Sequence, residues 1–282
     1  MIKTMKKLSI LFIICIVLMA VGDAYAQRSK RSKRRTRQKT HKVVRSKKKK
    51  SSKKTYVVKP APIVNLQDSD YNPYLMCEDT CGHVHGIDLS HYQGEVFWET
   101  VGENTKMAYV YLKATEGTGN VDDTYRYNFN ECKRVGLKVG SYHFFRPQLS
   151  ARGQFDNFMS RVETRRQDLL PVVDIETTNG VSDAVLQSRL LEFCELLEKE
   201  FGKKPIIYTG KNFYNKHIHG NSRLRAYKFF IAAYSFIEPD LYDDNDYVLW
   251  QYSATGSVRG IRGNVDMSRF VGRHDIRDIQ YR

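Results

Sequence analysis

Leu170-Pro-Val-Val-Asp-Ile-Glu176 is a short apolar run that ends in two acids. Its length and its adjacent valines read as a strand apolar on both faces. Strands of parallel sheets have this character because helices cover both sides of them. The flanking sequence agrees. Upstream, Ala151 to Glu163 has helical spacing. Downstream, Ser182 is placed to cap a helix running to Phe201, with Leu186, Leu190, Phe193 and Leu197 recurring at helical intervals. Pro205-Ile-Ile-Tyr-Thr209 then reads as another strand.

Followed outward, the alternation covers most of the chain. His85-Gly-Ile-Asp-Leu89 is a strand, with a short helix from Trp98 to Glu103. Met107 to Lys113 is a second strand, and Asp123 to Val135 a helix with Tyr127 and Cys132 facing inward and Gly136 as its stop. Lys138 to Phe145 is the third strand. After the fifth, Phe229 to Tyr234, Val248 to Tyr252 and the region around Val265 follow with shorter connections. Some eight strands of this kind imply an α/β barrel closed on itself, with the active site at the strands' C-terminal ends. An open doubly wound sheet would carry a glycine-rich phosphate loop after its first strand. Asp88-Leu-Ser-His91 stands there instead, and no nucleotide fingerprint or internal repeat occurs elsewhere.

In such a barrel, polar residues at strand ends point into the mouth. Asp88 closes strand one, Glu116 follows strand two, Asp174 and Glu176 close strand four, and Asp266 lies near the last strand. Asp174 and Glu176 are two apart and so share one face. Their mutual repulsion raises the pKa of one of them. A carboxyl that keeps its proton near neutral pH can give it to a leaving oxygen, which is what splitting a glycosidic bond requires. Taken singly, Asp88 reads as a turn cap, Asp266 as a helix cap and Glu116 as loop chemistry, and acid pairs at strand ends also bind metals. The convergence of all of them on one barrel end favours catalysis. Tyr142, Phe144, Tyr208, Tyr234, Trp250 and Tyr252 lie in or beside the same strands, and aromatic faces suit the C–H faces of sugars. Each of them alone reads equally as core packing, and His143 reads as a satisfied core histidine.

The ends of the chain have a different character. Lys3, Lys6 and Lys7, an apolar run from Leu8 to Val21 and Ala24-Tyr25-Ala26 have the layout of a secretory signal. Residues 27 to 60 hold 17 Lys or Arg and no acid, whereas residues 61 to 282 hold 26 Lys or Arg against 30 Asp or Glu. The formal net charge of +15 therefore belongs to a tail expected to be disordered and extended by self-repulsion. Tracts such as Lys47 to Lys50 resemble nucleic-acid-binding segments, but an export signal upstream argues against that partner. Attraction to an anionic envelope surface or a plain solvated spacer remain as readings. The organisation expected is a signal peptide at 1–26, a basic linker at 27–76 and a catalytic barrel at 77–282, exported, acting as a monomer, with no transmembrane span once the signal is removed. Cys77 and Cys81 suit a local disulfide, and with His83 and His85 they superficially offer zinc ligands at a spacing that matches no defined site. Cys132 and Cys194 read as small buried hydrophobes.

The chain resembles the glycoside hydrolase family 25 lysozymes. The matching pieces, in order, are Gly86-Ile-Asp-Leu-Ser-His-Tyr-Gln-Gly94, Leu112-Lys-Ala-Thr-Glu-Gly117, Ser141-Tyr-His-Phe-Phe-Arg-Pro147 and Leu170 to Glu176. Pro205-Ile-Ile-Tyr-Thr-Gly210, Phe230-Ile-Ala-Ala-Tyr-Ser235, Leu249-Trp-Gln-Tyr-Ser253 and Gly263-Asn-Val-Asp-Met-Ser268 complete them. The resemblance implies a flattened TIM-like (β/α)5β3 barrel that cleaves the β-1,4 bond between N-acetylmuramic acid and N-acetylglucosamine in peptidoglycan glycan strands. It implies Glu176 as general acid/base assisted by Asp174, with Asp88 and Asp266 on the floor. Tyr142, Tyr208, Trp250, Glu116 and Lys113 become the expected substrate contacts, and no metal or organic cofactor is implied. The segment Glu95-Val-Phe-Trp98 and the basic tail depart from the family pattern. A chitinase-like N-acetylglucosaminidase and a non-catalytic envelope-binding protein are the alternatives.

Overall fold

The structure, a computed structural model, describes residues 83–282. The expected signal peptide, the basic linker and the Cys77–Cys81 pair lie outside the described residues. No helix among the described residues is long and apolar enough to cross a membrane.

The elements in chain order are β1 (His85–Leu89), α1 (Trp98–Gly102), β2 (Met107–Glu116), β3 (Asn120–Val121), α2 (Tyr125–Arg134), β4 (Val139–Phe144) and α3 (Ala151–Met159). They continue with β5 (Val172–Asp174), α4 (Asp183–Phe201), β6 (Ile206–Gly210), α5 (Lys211–Phe213), β7 (Lys228–Ala232), β8 (Leu249–Gly256), β9 (Val265–Phe270) and α6 (Ile276–Ile279). The sheet order is β1-β9-β8-β7-β6-β5-β4-β2-β3, and a β1–β2 pairing closes the ring. Eight strands thus form a barrel, with β3 hanging from β2 as a short hairpin. Successive barrel strands from β1 to β8 pair in parallel, while β9 runs antiparallel to both β8 and β1. The expected (β/α)5β3 barrel is the observed fold. The turned strand is β9, because its link to β8, residues 257–264, is shorter than the roughly dozen residues a parallel crossover needs.

Two glycines allow the interior to be filled. A Cβ on Gly86 would lie 2.0 Å from the Tyr109 ring, and one on Gly140 would lie 2.5 Å from the Tyr111 ring. Both tyrosines are buried inside the barrel, where Tyr109 shares a 2.9 Å hydrogen bond with Ser268 and Tyr111 donates to the Leu170 carbonyl at 3.2 Å. Two large phenols therefore plug the barrel and leave its other end open.

The outer layer follows the helical periods. Ser182 accepts from the Val185 N–H as N-cap of α4, and Gly202 ends the helix in the left-handed conformation, φ 68°. Leu186, Leu190, Phe193, Cys194 and Leu197 of α4 are buried. His143, one residue out of phase with Tyr142 and Phe144, faces this layer, 4.9 Å from the Phe193 ring. Its Nδ1 meets Thr115 at 2.7 Å and its Nε2 meets Gln154 at 3.1 Å, so it is the satisfied core histidine expected. Cys132 and Cys194 are buried and unbonded. His85, one of the residues considered for zinc, is buried in β1. One inward residue was misjudged: Tyr127 is exposed, because the buried stripe of α2 runs through Tyr125, Asn128, Phe129 and Cys132.

Candidate active site

The C-terminal ends of the parallel strands surround a cleft of about 200 Å³. Four carboxyl groups line it, each carried there by a strand or its immediate extension. Asp88 of β1 lies directly opposite Asp266 of β9 in the antiparallel register. Side chains so paired stand about 5 Å apart at Cβ, close enough for like charges to repel strongly. Asp174 is the last residue of β5, in register with Phe144 on β4 and Tyr208 on β6. The backbone stays on the ladder one residue further, where the Ile175 N–H donates to the Tyr208 carbonyl at 3.0 Å. That extension turns Glu176 to the cleft beside Asp174.

The electrostatics follow from crowding four acids into a place with little water. Burial pushes the Asp174 carboxyl well above the usual carboxylate range, and the charges of Glu176 and Asp88 add to it. Asp88 is also pushed well above that range by burial and then by Asp266, against a hydrogen bond from Gln251. Asp266 is raised from 3.8 to about 6 by burial and by Glu176. Glu176 stands at the rim with one side open to solvent. Burial against the cleft wall raises it too, while hydrogen bonding to Tyr208 and Asp174 and the charge of Lys113 draw it back. The whole set therefore holds its protons to higher pH than ordinary carboxylates do. Asp174 Oδ1 is buried without a hydrogen-bond partner, an unmet acceptor pointing to a donor that arrives with a ligand.

A neutral clamp sets the floor. Gln251 of β8 is buried. Its Nε2 donates to Asp88 Oδ2 at 2.9 Å, and its Oε1 accepts from the Tyr208 hydroxyl at 2.9 Å and the Tyr234 hydroxyl at 3.0 Å. One amide thus fixes a carboxyl and two phenols from three strands or their ends. Lys113 is the cation in the cleft lining, half-buried and held to Glu116 at 2.7 Å. Arg146 grips the other oxygen of Glu116, and both cations lie over the Phe144 ring, at 5.0 and 4.5 Å. The turn after β1 supplies the remaining wall. Ser90 and Gln93 form a reciprocal cap there, and Gln93 reaches across to the Asn264 carbonyl. Among the described residues, no group of three or more His, Cys, Asp or Glu side chains is arranged to hold a metal ion.

Of the nine residues singled out from sequence, Asp88, Lys113, Tyr142, Asp174, Glu176, Tyr208 and Asp266 line the cleft. Glu116 and Trp250 do not. Glu116 stands behind the wall between Lys113 and Arg146. Trp250 is turned to the opposite side of β8 from Gln251, buried, its Nε1 donating to the Ala233 carbonyl at 2.8 Å under the Arg269 guanidinium. Gln251 was overlooked, although a polar residue inside the apolar run Val248–Tyr252 is the same signal that marked the acids. Tyr234 was noted as an aromatic without being assigned to the site. Tyr92 and Gln93, both in the lining, sit in a turn where no periodicity marks them.

Comparison with known proteins adds an independent line. The family described as Glycosyl hydrolases family 25 matches residues 87–261, a span that runs from β1 to just before β9. Lysozyme M1 of Streptomyces globisporus is 33% identical over 206 residues, which cover 69% of each chain. The crystal structure of the bacterial lysozyme from Streptomyces coelicolor superposes with a TM-score of 0.62 at 31% identity, covering 69% of this chain and 94% of that one. A family 25 glycosyl hydrolase from Bacillus anthracis gives a TM-score of 0.62 at 28% identity, covering 68% and 90%.

Proposed function

The chain belongs to glycosyl hydrolase family 25 and is a glycoside hydrolase of the lysozyme type, and from that premise we propose that it cleaves peptidoglycan with retention at the anomeric carbon, Glu176 acting as general acid and then as general base. The bond is the β-1,4 link between N-acetylmuramic acid and N-acetylglucosamine. The observation that carries this reading is the unequal placing of Asp174 and Glu176. Glu176 is at the rim, where a bridging oxygen can reach it, and its surroundings help it keep a proton. Asp174 is deeper, with one carboxyl oxygen buried and unpartnered.

That oxygen suits the N–H of a substrate acetamido group. Accepting from it would orient the acetamido carbonyl toward the anomeric carbon and draw off charge as the carbonyl oxygen attacks. In the first step Glu176 gives its proton to the leaving oxygen, the glycosidic C–O bond breaks, and the acetamido oxygen bonds to the anomeric carbon. In the second, water attacks that carbon from the vacated side, loses a proton to Glu176 and restores the acetamide. Two inversions leave the configuration unchanged. Asp88 and Asp266 are coupled to Glu176: its charge raises both of them, so the acids of the floor and the acid at the rim hold their protons as a group. Lys113 limits how far Asp174 rises, so that it can act as an acceptor. Tyr142 and Tyr208 offer aromatic faces to the sugar ring.

We extend the proposal to the N-terminal sequence: residues 1–26 direct export, residues 27–76 form a basic linker drawn to the anionic envelope, and the catalytic unit works as a monomer. The test is Glu176→Gln, assayed by reducing ends released from purified peptidoglycan, with mass spectrometry of wild-type products. Loss of release in a folded variant, and muramic acid at the new reducing end, are expected. Undiminished release by the variant would overturn Glu176 as the acid, and N-acetylglucosamine at the reducing end would overturn the bond assignment. Glycan stripped of its N-acetyl groups separates the two nucleophiles. It should resist cleavage, whereas continued turnover with an ester trapped on Asp174 would make Asp174 the nucleophile.

A further inference from the structure

On the outer layer of the barrel, between α2 and the connection from α3 to β5, lies a small hollow of about 20 Å³. It shares no lining residue with the catalytic cleft. Tyr125 and Phe129 of α2 give it an aromatic side, and Gln167 is its buried polar member. Arg126, Arg161 and Arg166 complete the lining against a single acid, Glu163.

We propose that this hollow binds a phosphate group. Gln167 is the first argument. The residue is 2% exposed, and its Oε1 accepts from the Ser141 hydroxyl at 2.8 Å. Ser141 in turn shares a 2.7 Å hydrogen bond with the Tyr125 hydroxyl, which fixes the amide from one side. Gln167 also bears on that phenol, but its Nε2 is buried and meets no acceptor at hydrogen-bond geometry. A buried N–H in this state is costly until an acceptor reaches it.

The arginines are the second argument. Arg166 is held in place, its Nη2 donating to Asn130 Oδ1 at 2.7 Å and its guanidinium lying over the Phe129 ring at 5.3 Å. Glu163 stands 3.7 Å from it, too far for a hydrogen bond, so the acid does not use up its donors. Arg126 and Arg161 are exposed and have no side-chain hydrogen bond or ion pair with another described residue. Three cations and one anion leave a surplus of two positive charges around an unmet donor. Guanidinium forks match phosphate oxygens, and a phosphate monoester carries about −1.5 to −2 at neutral pH. Size agrees, because about 20 Å³ is room for one oxygen atom. One phosphate oxygen enters toward Gln167 while the others stay at the mouth among the guanidinium groups. A carboxylate offers two oxygens in one plane, whereas a tetrahedral group reaches donors on several sides. Occupied, the hollow holds the barrel to a phosphate-bearing polymer or lipid surface and leaves the cleft free.

The experiment is isothermal titration calorimetry on the full chain at fixed ionic strength, with inorganic phosphate, glycerol phosphate oligomers and phosphatidylglycerol vesicles as probes. The basic residues 27–60 are common to every form, so only saturable binding that the variants lose reports on the hollow. Arg126→Ala and Arg161→Ala should each weaken phosphate binding about tenfold relative to the wild type. Arg165→Ala removes an exposed charge outside the lining and should leave it nearly unchanged. Gln167→Glu keeps the acceptor for Ser141, puts a negative charge where the donor was and should abolish the binding. The two arginine variants, both at exposed positions, carry the test if that one does not fold. Arginine-dependent binding that tightens on the oligomers makes the natural ligand a phosphate polymer, and on the vesicles a lipid headgroup; either upholds the site. Absence of saturable phosphate binding, equal binding by all three arginine variants, or acetate bound as tightly as phosphate would overturn it.

Discussion

Replacing Asp266 by Asn should make the protein more stable at neutral pH while impairing the site. Asp266 is mostly buried, faces Asp88 across the β1–β9 pairing and is raised from 3.8 to about 6 by burial and by Glu176. An acid whose folded pKa lies above its unfolded value binds its proton more tightly when folded. Its contribution is then complete below pH 3.8 and is lost as the pH rises through about 6. At 1.36 kcal/mol per pH unit, the rise corresponds to about 3 kcal/mol of stability forgone above pH 7. Its residual exposure trims this to about 2–3 kcal/mol, since solvent screens part of the penalty. Asn keeps the shape and the neutral state and carries no such loss. Guanidinium unfolding at pH 7.5 should show the variant ahead by about 2–3 kcal/mol, and at pH 4 the gap should shrink below about 1 kcal/mol. Removing the charge also relieves Asp88. A gap that does not change with pH, or a variant less stable at pH 7.5, would refute the claim that the four acids are held together against their own repulsion.

Three further outcomes follow from the same geometry. Gln251→Leu strips a donor from half-buried Asp88 and an acceptor from buried Tyr208 and from Tyr234. It should cost about 2–5 kcal/mol in chemical denaturation, and kcat should fall because Tyr208 no longer holds its place, whereas unchanged stability would rule out the clamp. Glu116→Gln leaves the Lys113 charge uncompensated beside the cleft; because that charge lowers both Asp174 and Glu176, the basic limb of the pH–activity profile should move to lower pH by about half a unit or more, and a shift the other way would contradict the assignment. Gly140→Ala drives a methyl against the Tyr111 ring and Leu169 in the packed interior, so thermal unfolding should show a loss of about 1–3 kcal/mol, and a neutral result would mean that the interior can yield.

How much of this was readable beforehand varied from element to element. The barrel strands from β1 to β8 and helices α2 to α4 announced themselves, though the two-residue β3 did not, because hydrophobic period and capping are local properties of the chain. The edges were less certain. Leu170 to Glu176 was read as one strand, but regular pairing covers only Val172–Asp174. In α2 one of the two inward residues expected is buried, Cys132, whereas Tyr127 is aromatic yet exposed and the polar Asn128 is buried in its stead.

The amino-acid sequence by itself determined that strands and helices alternate, that acids stand at strand ends, and that Asp174 and Glu176 share a face. Each of these depends on spacing along one segment, which needs no knowledge of neighbours. Only the tertiary structure decided which side chains meet. It turned β9 against its neighbours to oppose Asp266 to Asp88, set Glu116 behind the wall, and exchanged Trp250 for Gln251 and Tyr234 at the site. The physical reason lies in how strands are paired. Neighbours on one strand face opposite sides, so Trp250 and Gln251 cannot both reach the cleft, and only the β1–β9 register sets Asp266 opposite Asp88.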